Sequence, residues 1–281
     1  MSVAATTVAL LAELGKGPVF VHSDAFRTAR LVGRAPSRPE LLSAHVAMLR
    51  EMAAERDLWL PTFNYDFPRT RVFDLSVDET QLGPIPQHFL TTAADWRSPI
   101  PIFSVAGSGH QPSVQWGDNT DPFGESCIFA KLVEADGVIL YYGDTFNCST
   151  IVHYAERSAG GPAYRYDKLF PGRVVMRDGT SRRGSLCYHV RPFGTGLDYD
   201  WTGMLKAALS AGVCRRVEGH DELVAASARD LCSLWGGAIK ADPLALLDAA
   251  SRGWVAPALD GLGRRFLISD FESPEPLWSP E

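Results

Sequence analysis

The run Thr150-Ile151-Val152-His153-Tyr154-Ala155-Glu156 places an imidazole and a carboxylate three residues apart. Asn147 or Ser149 can cap a helix ahead of the apolar pair Ile151 and Val152. Residues at i and i+3 share a helix face, so the carboxylate can hold one ring nitrogen of the histidine and fix its tautomer. In a first turn the helix dipole disfavours the imidazolium and leaves the ring able to accept a proton, while the carboxylate stabilises the imidazolium once it forms. This is the chemistry of a general base with its orienting acid. The spacing is short, and on spacing alone a half-buried helix histidine beside a solvated glutamate is the more economical account. Cys148, next to the pair, is a further nucleophile by type, although free cysteine is more often a buried spectator.

Elements must hold this pair in place, and the chain is long enough to build them. Its 281 residues, 46% hydrophobic and 21% charged, can bury a substantial core without disulfides. A net charge of -6 with no basic stripe argues against a nucleic-acid partner. The five cysteines are widely spaced, without C-x-x-C or zinc spacing, as expected of reduced thiols in the cytoplasm. No basic segment precedes the early apolar run and no stretch is long enough to span a bilayer, so neither a signal peptide nor a membrane anchor is expected.

Along the chain, a helix over residues 5–14 leads through Gly17-Pro18 to a buried strand, Val19-Phe20-Val21-His22. A helix over 40–55 leads to the strand Leu58-Trp59-Leu60, and one over 127–135 to the strand 138–143, directly before the His153 helix. Helix-strand units of this kind predict an α/β fold, a central and mainly buried sheet flanked by helices, with the pair at a strand's carboxyl end. Residues 61–121 form a loop-rich insertion dense in aromatics, the composition of binding loops. Residues 173–177 and 185–190 flank Asp178-Gly179 as a hairpin. Helices over 199–211, 221–235 and 243–250 would make the C-terminal third helical, with 273–281 a frayed tail on a single domain spanning 1–281. Gly107-Ser108-Gly109 begins like a dinucleotide-binding loop, and Gly124-Glu125-Ser126 like a nucleophile elbow, but Pro112 and Ile128 stand where each needs glycine.

Five segments stand in one order between residues 15 and 190: Val21-His22-Ser23, Leu60-Pro61-Thr62-Phe63, Gly83-x-Ile85-Pro86, Arg97-Ser98 with Phe103-Ser104-Val105-Ala106, and Thr150-x-x-His153-x-x-Glu156. Together they resemble the aminoglycoside 3-N-acetyltransferase family. Where antibiotic-modifying members carry His-Pro this chain has Ile100-Pro101, and Gly107 replaces the segment's closing alanine. Phe63-Asn64-Tyr65-Asp66-Phe67 and the run from Pro162 to Gly172 instead resemble a branch that acylates amino sugars on nucleotide carriers.

The resemblance implies transfer of an acyl group, acetyl or a short hydroxyacyl, from coenzyme A to a primary amine, with no metal. His153 would be the base, Glu156 its orienting acid, and Thr150 a donor to the carbonyl oxygen or sulfur. It implies a coenzyme A seat at His22, Ser23, Asp24, Ala25, Phe26 and Arg27, with a second wall at Arg97, Ser98, Ile102, Phe103, Ser104 and Val105. Asn64, Tyr65, Asp66, Tyr164, Arg165 and Lys168 would bind the acceptor, the two cations suiting a phosphate-bearing sugar. A true aminoglycoside acceptor would instead call on acids such as Asp66, Asp74, Asp121 and Glu125. A coenzyme A-binding relative without activity and a homodimer both stay open.

Overall fold

A computed structural model describes residues 2–273, so most of the expected frayed tail at 273–281 lies outside the described residues. The apolar runs of the sequence become strands because both of their faces are covered. Along β1 (Val19–Ser23), Phe20 points into one core while Val19 and Val21 point into another. The same alternation holds in β2 (Leu58–Pro61), where Trp59 opposes Leu58 and Leu60.

Three short strands follow: β3 (Val72–Asp74), β4 (Trp96–Arg97) and β5 (Val105–Gly107). Then come β6 (Val138–Tyr142), the long pair β7 (Tyr166–Val175) and β8 (Ser181–Val190), and finally β9 (Cys214–Val217) and β10 (His220–Ser227). Seven of them form a sheet in the order β4-β5-β2-β1-β6-β10-β9, and β3-β7-β8 form a second, smaller sheet. The central β1 runs parallel to β2 and β6, with Phe20 level with Trp59 and Ile139. One face of the large sheet is covered by the helices Val3–Leu14, Arg38–Ala53 and Pro84–Thr92. The other is covered by Ile128–Glu134, Ile151–Ser158 and Ala228–Ala241. The α/β class is the one expected. No helix among the described residues is long and apolar enough to cross a membrane.

Two expected helices are different. Residues 221–227 are strand: Leu223 to Ser227 pair antiparallel with β6, and only then does Ser227 cap the helix Ala228–Ala241 by accepting from the Asp230 N–H. The four-residue apolar run Leu223 to Ala226 fits either period, and the free edge of β6 decides. The helix expected at 243–250 begins instead at Ala249, where Asp248 accepts from the Ser251 N–H; the residues before it form turns that bring Leu247 against Tyr199. The hairpin is longer than expected, with ten paired positions from Tyr166↔Val190 to Val175↔Ser181.

Within the loop-rich insertion one buried cation ties the chain together. Arg97, 3% exposed, donates to the carbonyls of Asp78 and Thr62 and to the Ser104 hydroxyl. Burial lowers its pKa to about 10, with Asp78 opposing. Arg97→Ala strands these acceptors, and a loss of about 2–4 kcal/mol is expected. Urea denaturation should show it as a lower midpoint at unchanged slope.

Candidate active site

The parallel strands β1 and β6 end side by side, with Ser23 level with Tyr142. Beyond β6 the chain turns through Gly143 and Asp144, both at positive φ (109° and 57°). A side chain on Gly143 would meet the Asp24 carbonyl at 2.9 Å. A 3-10 turn, Phe146–Cys148, then leads to the helix Ile151–Ser158, whose cap position is held by Thr150 and not by Asn147 or Ser149. The Thr150 hydroxyl donates to the Cys148 carbonyl at 3.2 Å.

Ile151, Val152, Ala155 and Glu156 form the buried face of this helix. Glu156 is therefore no solvated surface charge: its relative exposure is 0%. Its carboxylate accepts four hydrogen bonds. The Tyr164 and Tyr199 hydroxyls donate to Oε1 at 2.7 and 2.6 Å. His153 Nδ1 and His189 Nε2 reach Oε2 at 3.0 and 3.1 Å. An ionised carboxylate only accepts, so both histidines present N–H there, and all of its lone-pair sites are used. Arg165 Nε stands 3.5 Å from Oε2, and Arg165 Nη2 donates to the Tyr199 hydroxyl at 2.7 Å.

The charges follow from this enclosure. Burial pushes the Glu156 pKa up, but Arg165 and the histidine hydrogen bonds outweigh it and hold the carboxyl well below its ordinary range. Burial lowers His153 to about 4, with Glu156 opposing and Arg165 adding to the depression. Burial likewise lowers His189. Arg165 is held above its ordinary value, since Tyr199 and Glu156 outweigh the effect of burial. Neutral His153, fixed by its Nδ1–H, keeps a lone pair on Nε2. No group among the described residues bonds to that atom, and the side chain is 22% exposed.

His153 lines a cavity of about 660 Å³ that also touches Tyr65, Phe103, Cys148, Thr150, Arg165 and Arg191. Cys148 is exposed, against the buried-spectator expectation. Of the residues expected to bind the acceptor, Tyr65 and Arg165 reach this cavity. Tyr164 is turned inward to Glu156, and Asn64 donates to the Glu79 carbonyl. Asp66 is paired with Arg69, and Lys168 with Glu272.

A neighbouring cavity of about 450 Å³ shares Asn147 and Trp201 with the first and is lined by Arg27, Lys206 and Arg216. From the expected coenzyme A turn only Arg27 lines either cavity. Asp24 accepts from the Phe26 and Arg27 amides at 2.8 and 3.1 Å, which occupies the donors the turn was expected to offer. His22 is a buried strand residue, Ser23 has a buried hydroxyl without a partner, and Ala25 packs on the core. On the expected second wall Phe103 alone lines the His153 cavity; Arg97, Ser98, Ile102, Ser104 and Val105 are in the core.

His189 and Tyr199 were not legible as site residues. Neither lies in a motif with His153, and the 10-residue strand β8 brings His189 to Glu156 from 33 positions away. The His153, Glu156 and His189 ligand atoms lie within 4.8 Å of one another, close enough for a metal ion, but the adjacent Arg165 charge opposes a cation.

The model of the family described as aminoglycoside 3-N-acetyltransferase matches residues 42–233. The chain belongs to this family. It is thus an N-acyltransferase. Solved structures share the fold. The AAC-IIIb binary complex with CoASH has 22% identity and a TM-score of 0.65, covering 85% of this chain and 95% of that one. The apoenzyme of aminoglycoside acetyltransferase AAC(3)-IVa has 21% identity and a TM-score of 0.59, over 87% and 91%. The YokD protein from Bacillus subtilis has 14% and 0.60, over 83% and 92%. A comparison with curated proteins finds no match.

Replacing Glu156 by Gln leaves Arg165 and several donors without their anion, and a destabilisation of about 3–5 kcal/mol is expected in urea denaturation. The pH dependence of the native enzyme has a definite sign. Between pH 6.5 and about 4 the unfolded chain takes up protons that buried His153 refuses, so stability falls as pH falls through this window. The Glu156 contribution, present above 4.5, is lost further down as its depressed pKa is reached. Urea midpoints measured from pH 7 to pH 4 check this.

Proposed function

We propose that this chain transfers an acyl group from a coenzyme A thioester to the primary amine of an amino sugar, with His153 as general base. The observation that carries the reading is a histidine whose Nδ1 is tied to a saturated, buried carboxylate and whose Nε2 has no partner among the described residues and stands at a cavity. A bound thioester supplies an electrophilic carbonyl and a thiolate leaving group. His153 Nε2 takes the proton from the amine as the C–N bond forms. It returns that proton to the departing sulfur as the C–S bond breaks, so amine and thioester become amide and thiol. Glu156 orients the ring and stabilises its transient positive charge, and Thr150, at the cavity wall, would donate to the carbonyl oxygen by turning its hydroxyl away from the Cys148 carbonyl.

The cavity lined by Arg27, Lys206 and Arg216 offers cations for the phosphates of coenzyme A, Arg27 being shared with Asp144 of the same cavity at 2.7 Å, and it opens beside the His153 cavity at Asn147 and Trp201. AAC-IIIb, of the same fold, is solved with CoASH. The seven-stranded sheet draws strands from residues 19 to 227, which supports reading the chain as one acyltransferase domain.

The charges around the His153 cavity favour an anionic acceptor. Its cations are Arg165, already matched by Glu156, and Arg191, exposed and donating only a long 3.4 Å bond to the Leu197 carbonyl. Its one carboxylate among the described residues is Asp198, which accepts from the Tyr199 N–H and from Trp201 Nε1. Asp66, Asp74, Asp121 and Glu125, the acids a polycation would call on, do not line it. Arg191 and Asp198 also border a third cavity of about 410 Å³ beside Phe193, which suits the nucleotide half of a nucleotide-linked sugar. The family description favours an aminoglycoside as the second reading.

With acetyl coenzyme A and a panel of nucleotide-linked amino sugars and aminoglycosides, thiol release should favour the nucleotide-linked amines. Preference for aminoglycosides would sink the acceptor assignment, and coenzyme A binding without turnover on any amine would favour an inactive relative. His153→Ala should lower turnover by ~10²- to 10⁴-fold while leaving the circular dichroism spectrum intact. Near-normal turnover in that variant would remove His153 as the base.

A further inference from the structure

Phe103 borders two cavities: the one in front of His153, and another of about 460 Å³ behind it. Among the described residues no other side chain borders both. The rear cavity is mixed, with apolar Ile100, Val114 and Ile128 beside polar Gln115, Asp121 and Lys131.

The backbone that presents the Phe103 ring is strained. Its N–H donates to the Pro101 carbonyl at 2.8 Å around Ile102, whose φ is 66°. That is a γ-turn of the unfavourable hand, and a β-branched residue in the left-handed region is an outlier. Ile102 is held there by its burial, 2% exposed, and by the Asn64 N–H, which donates to its carbonyl at 3.2 Å. Strain of this kind persists where its surroundings over-determine it, and it gathers at ligand clamps. The ring packs against Phe63, Tyr188 and Phe123, with centroids at 5.4, 5.0 and 4.7 Å, and Phe123 in turn stands 5.1 Å from the His153 ring.

The other two exits from the His153 cavity carry the charged groups, one leading toward Arg27, Lys206 and Arg216 beside Trp201, Leu205 and Leu209, and one past Arg191 and Asp198 beside Phe193. With the donor's phosphates and the acceptor assigned to those two exits, the wall of Tyr65, Phe103 and Tyr188 is the direction left for an apolar chain, and its aromatic surface suits one. We propose that Phe103 is the partition that sets the length of acyl chain the enzyme accepts. The chain runs from a carbonyl beside His153 toward the Phe103 ring and stops there, so short acyl groups fit and longer ones do not. This rests on the coenzyme A reading above.

The test is titration calorimetry of the full chain with coenzyme A and with its acetyl, butanoyl and octanoyl thioesters. Each methylene newly taken out of water is worth about fourfold in affinity. Phe103→Ala, which joins the two cavities, should raise affinity for the octanoyl thioester relative to the acetyl one by about tenfold or more over wild type. Phe103→Leu should move the same ratio in the same direction by less, and keeps the test open if the alanine variant does not fold. Val114→Trp, added to either variant to fill the rear cavity, should cancel the gain. The same chain-length ranking in wild type and variants, with coenzyme A itself bound normally by all, overturns the partition and leaves the acyltransferase reading standing. A wild-type chain that binds none of the four ligands overturns both.

Discussion

A carboxylate removed from water must be satisfied by protein groups or it will not stay ionised, and Glu156 sets this requirement for the whole centre of the molecule. Four donors and a guanidinium meet it, from the helix Ile151–Ser158, from the segment around Tyr164 and Arg165, from β8, and from Tyr199 ahead of the C-terminal helices. Both sheets must be correctly placed before the last of these donors arrives. The enclosure also divides the labour between the two residues of the pair. Glu156 has no lone-pair site left for a ligand, so it can orient but not exchange a proton, and His153 keeps the one free basic nitrogen.

The location of this network follows from the parallel core. β1 and β6 end together, and the strand-to-helix turn after β6 delivers His153 just beyond their carboxyl ends, where open α/β sheets form crevices. From there the space divides three ways, toward a cationic cavity at Arg27, toward a loop carrying Arg191 and Phe193, and toward the aromatic wall at Phe103. In the proposed reaction these three directions let a donor, an acceptor and an acyl chain meet at one imidazole without competing for the same surface.

The sheet and its flanking helices were largely legible in the sequence, because strands such as Val19-Phe20-Val21 and Val138 to Tyr142 are apolar on both faces and are bounded by turn residues. The 221–227 segment was not, since a short apolar run carries no period of its own and became strand by pairing with β6. Around the site, His153 and Glu156 were legible through their spacing and Arg165 through its neighbours in the chain. His189 and Tyr199 were silent, because nothing local marks a residue that a distant strand or loop will bring to a carboxylate. The expected wall at Arg97, Ser98 and Ser104 shows the opposite error. Polar residue types that suit a ligand are just as well suited to tying buried loops together, and here Arg97 donates to two carbonyls and a hydroxyl.

By itself, then, the sequence determined the α/β class and placed a histidine and a glutamate on one helix face, since both follow from residue spacing along one chain direction. The family likeness was already carried by short segments in a fixed order. Tertiary structure alone decided that Glu156 is buried and saturated, that His153 is neutral with one free nitrogen, and that Phe103 stands between two cavities. These are properties of what surrounds a side chain, and the surroundings are assembled from segments far apart in the chain. Desolvation and hydrogen bonding act through that assembled environment, so spacing could name the pair but not its charge state or its neighbours.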